Sequence, residues 1–246
     1  MSGLKLAASF GFYPHQLGFC GLQGYSIKKT IFDYLSGKKV PQQKIRKILE
    51  TFIGAFSYYK LIARSNGIKD PFAEKVVKAY WLGNELLEKV SSHSLKEMII
   101  KDFVGRGLLS KETAENKAKK IPLDSKAHHS FHVFIIGSVS GRVALEGKLL
   151  DLCRVGWGKV TEIQKRGKKG VNEVIIEYQP LSKRKNKYFL GKPTSKSIFW
   201  NEKIIPKIKI GDKVATHWNH IARIISEKDL DNLKKYTWIT INSLCI

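Results

Sequence analysis

Two side chains in the last third of the chain, Cys153 and His217, have the chemistry of metal ligands. Cys153 stands at the start of a β-type run that continues through Trp157, and His217 stands beside Trp218 in a later run. A thiolate is a soft ligand, and a neutral imidazole is a common partner for it. If these runs close into a barrel, the thiol and the imidazole can meet and bind a soft metal, or act together as a nucleophile pair.

A second group of candidate ligands, His128, His129 and His132, lies in one short segment. Its aromatic and β-branched residues fit either a strand or a tightly packed helix. On a helix, His128 and His132 share a face and can chelate one metal, whereas on a strand they lie too far apart to do so alone. No glutamate follows the first histidine, so the zinc-protease motif is absent. Cys20 can join such a site only if the fold brings it there.

These candidates depend on two kinds of secondary structure for their positions. We expect residues 1–24, which are rich in glycine and aromatics, to form an ordered loop or turn. Apolar spacing and capping signals predict helices from residue 26 to about residue 120, and short alternating runs predict strands from Cys153 onward. Ser226 and Asp229 predict the start of a final helix. The predicted fold class is α+β, with an α-helical N-terminal domain (residues 1–147) followed by a small OB-like β-barrel with a C-terminal helix (residues 148–246).

The formal net charge of +23 indicates a polyanionic partner, with nucleic acid as the first candidate. Lysine supplies 36 of the 44 basic residues, whereas specific readers of nucleic acid also use arginine forks. A uniformly basic surface therefore explains the charge equally well. Two predicted hairpin tips concentrate the basic residues that would contact nucleic acid: Arg166, Lys168, Lys169, Lys183, Arg184, Lys185 and Lys187.

The composition also bounds the location and the reaction class. Three widely spaced cysteines do not form a disulfide framework, and no apolar run reaches the length of a membrane span, so we expect a reduced, cytoplasmic protein. The chain contains no Walker-type loop, no Gly-x-Gly-x-x-Gly turn and no Gly-x-Ser-x-Gly elbow. We therefore assign no catalytic residue and expect a binding protein rather than an enzyme.

The C-terminal third resembles the HypC/HupF family of nickel–iron hydrogenase assembly chaperones. Members of that family are small β-barrels with a helical tail, and the matching segments of this chain are Cys153, Gly158–Val160, Gly211–His217, Ile221–Ile225 and Glu227–Leu233. The resemblance implies that Cys153 and His217 transiently bind an iron fragment with diatomic ligands. It also implies a partner, which is the hydrogenase large subunit or another maturation protein. The family's cysteine directly follows the initiator methionine, whereas Cys153 lies about 150 residues into this chain.

The first half resembles an uncharacterised bacterial family through the segments Leu17–Gly21, Ala79–Asn84 and His128–Phe134. That resemblance implies no activity. Three hypotheses therefore stand: a hydrogenase maturation or metal-centre assembly chaperone, a nucleic-acid-binding protein, and a metalloprotein built on the histidine cluster.

Overall fold

The first part of the molecule is helical. The structure is a computed structural model and describes residues 2–164, 171–185 and 187–244. A 3₁₀ turn at Glu85–Lys89 and π-helical turns at Ile99–Phe103 and His132–Ile136 supplement the α-helices. The α-helices of the described residues are α1 Gly3–Gln16, α2 Tyr25–Leu35, α3 Gln42–Glu50, α4 Ile53–Ser65, α5 Glu74–Leu82, α6 Ser92–Met98, α7 Lys111–Lys119, α8 His129–Phe131, α9 Lys148–Cys153 and α10 Glu227–Ser243.

Helix α1 corrects the expectation of a loop for residues 3–16, whereas residues 17–24 do form turns and bends. The Ser2 side chain accepts a hydrogen bond from the Lys5 amide and caps the helix, which is buried along most of its length. Gly3 is needed for packing, because a Cβ there would collide with the Phe72 carbonyl. The glycines and aromatics that suggested a loop therefore allow a helix to pack closely inside the core.

The second part forms a closed five-stranded barrel with the order β1-β2-β5-β7-β6. Neighbouring strands are antiparallel except β5 and β7, which are parallel. A separate two-stranded sheet, β3-β4, lies outside the barrel. The predicted α+β class with an OB-like barrel and a C-terminal helix is confirmed. The strands are β1 Gly156–Gln164, β2 Val171–Tyr178, β3 Leu181–Arg184, β4 Lys187–Leu190, β5 Thr194–Asn201, β6 Lys213–His217 and β7 His220–Ile224.

The core joins the helices to one end of the barrel. The larger cluster of buried apolar side chains contains helical residues such as Phe10 and Trp81 together with Ala215, Trp218 and Ala222 of the barrel. A smaller cluster fills the barrel interior. The helical layer therefore covers the barrel at the end where β6 finishes and β7 begins.

Within the described residues, no helix has both the length and the apolar character that a membrane span requires.

Candidate metal centre

Three elements bring Cys153, His217 and His129 together. Cys153 is the last residue of α9, His217 is the last residue of β6, and His129 is the first residue of α8. Each offers one ligand atom, and these atoms all lie within 4.8 Å of one another. A tetrahedral metal with these donors spaces its ligand atoms about 3.5 Å apart, so a small inward movement of the three side chains would bring their ligand atoms to that spacing.

Strand pairing explains how Cys153 reaches His217. The structure places Cys153 at the end of a helix rather than at the start of the first strand, because β1 begins three residues later at Gly156. Gly156 lies opposite Thr216 in the antiparallel β1–β6 pair, so the start of β1 and the end of β6 lie side by side at the same end of the barrel. The Trp218 amide donates to the Leu152 carbonyl at 2.8 Å and fixes α9 against the end of β6.

His217 is held as a neutral ligand. Its Nδ1 lies 2.7 Å from the Phe10 carbonyl, which can only accept, so Nδ1 carries the proton and Nε2 keeps its lone pair. The side chain is 2% exposed, and among the described residues Nε2 has no hydrogen-bond partner. Burial lowers the pKa of His217 to about 4. A backbone carbonyl that orients the ring and leaves the other nitrogen free is the usual support of a metal-binding histidine.

His129 is oriented by Cys153 itself. Its Nε2 donates to the Cys153 carbonyl at 2.9 Å, and its Nδ1 lies 3.0 Å from the Tyr80 hydroxyl, which donates to it. Burial lowers the pKa of His129 well below its ordinary value. The Trp81 ring packs against both imidazoles, with centroid separations of 4.5 Å to His129 and 5.5 Å to His217. The basic nitrogen of His129 in the metal-free protein is therefore Nδ1, which accepts from the Tyr80 hydroxyl.

The Cys153 thiol is protonated at neutral pH in the metal-free protein. Cys153 is 9% exposed, and burial raises the pKa of its thiol well above the ordinary value. A metal must displace this proton, because the thiolate is the ligand. The three side chains therefore offer one thiolate and two neutral imidazoles.

The three ligands face a cavity of about 200 Å³. A buried water needs only about 10–15 Å³ of such volume, so the cavity has room for a metal and several small ligands. Cys20, His132 and Trp218 also line it. Among the described residues, no carboxylate lines this cavity, and Arg142 is its only permanently charged side chain. The site is therefore soft, neutral and bordered by one cation.

His128 and His132 lie outside the group of three. His128 precedes α8 as its N-cap, and its Nδ1 turns back to Ser130, with the Oγ at 3.1 Å and the amide at 3.3 Å. His132 lines the cavity, but its Nδ1 lies 3.3 Å from the Tyr58 hydroxyl. The His128 ring lies against Tyr236 and the His132 ring against Tyr58, so the two rings have different neighbours, and His128 does not line the cavity.

The remaining predicted residues fall in different environments. Trp157 is buried beneath the Arg154 guanidinium, which lies 5.2 Å from its ring, and it does not line the cavity. Four of the predicted nucleic-acid contacts lie in the exposed β3–β4 hairpin: Lys183, Arg184, Lys185 and Lys187. The other three, Arg166, Lys168 and Lys169, lie outside the described residues.

The sequence pattern indicated His129 only together with its histidine neighbours, and it did not indicate the Phe10 carbonyl. His129 was visible as part of a histidine-rich segment, but nothing in the sequence linked it to a cysteine 24 residues later. The Phe10 carbonyl carries no side-chain signal, because any residue type supplies the same acceptor.

Together these features define the protein as an α+β barrel protein whose helical layer contributes to a buried Cys–His–His group. The chain belongs to the family of unknown function DUF6390, whose model matches residues 1–244. This match covers both the helical part and the barrel, and it is not a match to the HypC/HupF family. The search of curated proteins and the search of solved structures gave no match.

Proposed function

We propose that this protein is a metal-centre assembly factor that binds an iron fragment through Cys153, His217 and His129 and transfers it to a partner. The observation that carries the proposal is the convergence of one thiol and two neutral imidazoles on a single cavity. Thiolate and imidazole donors suit iron, copper and zinc better than magnesium or calcium, which prefer oxygen ligands. The iron fragment is cargo in this proposal, not a resident cofactor.

The charge of the cavity favours a metal that carries anionic ligands. A ferrous ion bound to one thiolate keeps one net positive charge, and a buried charge is costly unless it is balanced. No carboxylate among the described residues lines this cavity to supply that balance. Diatomic anions such as cyanide bring the compensating charge with the metal. The resemblance to HypC/HupF chaperones supports the same cargo.

The partner in this proposal is the hydrogenase large subunit or another maturation protein, as the resemblance implies. The difference from that family is the source of the third ligand. His129 belongs to the helical part, whereas Cys153 and His217 belong to the segment that resembles the chaperone. In this proposal the helical part completes the ligand set and fixes the position of the cysteine, which in the HypC/HupF family lies at the mobile N-terminus.

The test is metal content and infrared absorption of protein purified without oxygen from its own host. We expect iron and cyanide or carbonyl stretching bands in the wild type and in Cys20→Ala, and neither in Cys153→Ala. Cys20→Ala is the matched control, because Cys20 is the other free cysteine that lines the cavity. Iron that persists in Cys153→Ala with unchanged bands would contradict the proposal.

A second candidate function, nucleic-acid binding, is favoured by the β3–β4 hairpin. Lys183, Arg184 and Lys187 are exposed there, and Phe189 keeps 40% of its surface accessible, which is the combination used to bind single strands. We expect binding of single-stranded oligonucleotides that weakens steeply with salt and is lost when these three cations become glutamate. Unchanged binding after the charge reversal would reject this candidate.

A further inference from the structure

We infer that the cavity contains an anion subsite in which the Trp218 indole N–H and the Ser138 hydroxyl bind small anionic ligands carried by the metal. This inference rests on the proposed metal site and goes beyond it. The three protein ligands would bind the metal, whereas Trp218 and Ser138 would distinguish a metal that carries anions from a bare ion. Arg142 would attract the anion from the cavity mouth.

Trp218 has an unused hydrogen-bond donor beside the ligand group. The residue is 5% exposed and lines the cavity, and within the described residues its Nε1 has no hydrogen-bond partner. An indole N–H can only donate, so the missing partner is an acceptor. A buried donor without an acceptor costs roughly 1–3 kcal/mol, and such groups are few in native proteins. A ligand in the cavity would supply the acceptor.

The backbone at Trp218 is a second, independent observation. Trp218 and Asn219 form the two-residue turn between β6 and β7, with φ angles of 50° and 62°. Such turns favour glycine or asparagine at both positions, and a bulky side chain with positive φ is strained. Strain of this kind persists where the side chain is required in that place. Here the turn conformation positions the Trp218 indole directly after the ligand His217 in the chain.

Two further groups complete the subsite. Ser138 lines the same cavity, and its buried Oγ, like the indole N–H, has no partner among the described residues. Arg142 is exposed, and its Nη1 donates to the Gly21 carbonyl at 2.9 Å and to the Gly18 carbonyl at 3.4 Å. No carboxylate among the described residues lines this cavity, so no acidic side chain there repels an anion.

The test uses azide as the anion and cobalt(II) as the metal. Cobalt bound to a thiolate absorbs visibly, and azide that joins its coordination shell changes that spectrum. Azide is titrated into protein already saturated with cobalt, so cobalt affinity does not enter the comparison. We expect Trp218→Phe to weaken azide binding about tenfold or more, the effect of losing one hydrogen bond to a charged group, and Ser138→Ala to weaken it less. Trp157→Phe is the matched control, because Trp157 is a buried tryptophan outside the cavity.

The outcomes separate this inference from the proposed function. Equal azide affinity in wild type and Trp218→Phe would overturn the subsite and leave the metal site intact. Absence of Cys153-dependent cobalt absorption would overturn the proposed function, and the subsite with it. If Trp218→Phe does not fold, the indole N–H resonance is followed in ¹⁵N-tryptophan-labelled, zinc-loaded wild type. A downfield shift of the Trp218 signal on azide addition supports the subsite, and no shift overturns it.

Discussion

The proton that metal binding must displace gives the sharpest test of the candidate site. Burial raises the pKa of the Cys153 thiol well above its ordinary value, so at neutral pH the thiol is protonated. Burial lowers the pKa of His217 to about 4 and that of His129 well below its ordinary value, so both imidazoles are already neutral at pH 6. Binding of cobalt(II) or zinc between pH 6 and 8 therefore releases one proton, and that proton comes from Cys153.

The magnitude follows from this count. One proton released makes the apparent affinity rise about tenfold per pH unit, or about a hundredfold from pH 6 to pH 8. The sign is fixed because the metal binds the thiolate, whose population in the free protein grows as pH rises toward its raised pKa. In Cys153→Ser the affinity falls sharply and the pH slope disappears, because a serine hydroxyl does not ionise in this range.

Cobalt(II) titration against a competing chelator at several pH values measures the slope. Calorimetry in buffers with different ionisation enthalpies counts the protons independently. A slope of zero in the wild type would refute thiolate ligation. A slope of two would show that the second thiol, Cys20, also binds as a thiolate, since burial raises the pKa of Cys20 to about 12 and it too is protonated when free.

Three further predictions concern the metal-free protein, and each is measured by chemical or thermal denaturation. Burial lowers the pKa of His132 to about 4, so this residue takes up a proton on unfolding between pH 6.5 and about 4. As pH falls through that range, His132 alone contributes a loss of about 1.4 kcal/mol in the free energy of unfolding per pH unit, and His132→Asn flattens the profile by that amount. Gly83→Ala should lower the free energy of unfolding by about 3 kcal/mol, because the φ angle of Gly83 is 87° and a Cβ there would collide with the Tyr236 ring. A loss of less than about 1 kcal/mol would mean that the ring moves aside freely. Asp151→Asn should lower the free energy of unfolding by about 3 kcal/mol, because it removes the countercharge of the fully buried Arg154 side chain, whose Nε lies 2.8 Å from the Asp151 Oδ1. Adding Arg154→Met to this variant should restore part of the lost stability.

The sequence predicted those parts of the fold that depend on local pattern. Alternating runs after Cys153 predicted a barrel, and the Ser226 signal predicted the final helix, because period and capping are properties of neighbouring residues. Helix α1 was missed because its glycines serve close packing against distant segments such as Phe72, and sequence spacing does not reveal that contact. Burial by tertiary packing decided the structure there, against the local composition.

The candidate site was predictable in part for the same reason. Barrel closure brings the ends of β1 and β6 together, so Cys153 and His217 could be considered as a pair from the order of the strands alone. The participation of His129 depends on how the helical layer docks, which no short-range pattern reports. The Cys153 and Phe10 carbonyls, which can only accept, then select the tautomers of His129 and His217, and they come from segments 24 and 207 residues away from their histidines.

A buried metal site requires a route by which the metal enters and leaves, and the residues at the edge of the cavity indicate which route costs the least free energy. Opening the site through α1 would expose core residues such as Phe10, whereas Arg142 closes the mouth with two hydrogen bonds to the Gly18 and Gly21 carbonyls. Each such bond contributes about 1 kcal/mol, so Arg142→Ala should speed cobalt loss to a chelator by about tenfold or more in azide-free buffer. Lys120→Ala, which removes an exposed cation elsewhere, should leave the rate unchanged. An unchanged release rate in Arg142→Ala would mean that the metal leaves by a route that does not involve the Arg142 hydrogen bonds.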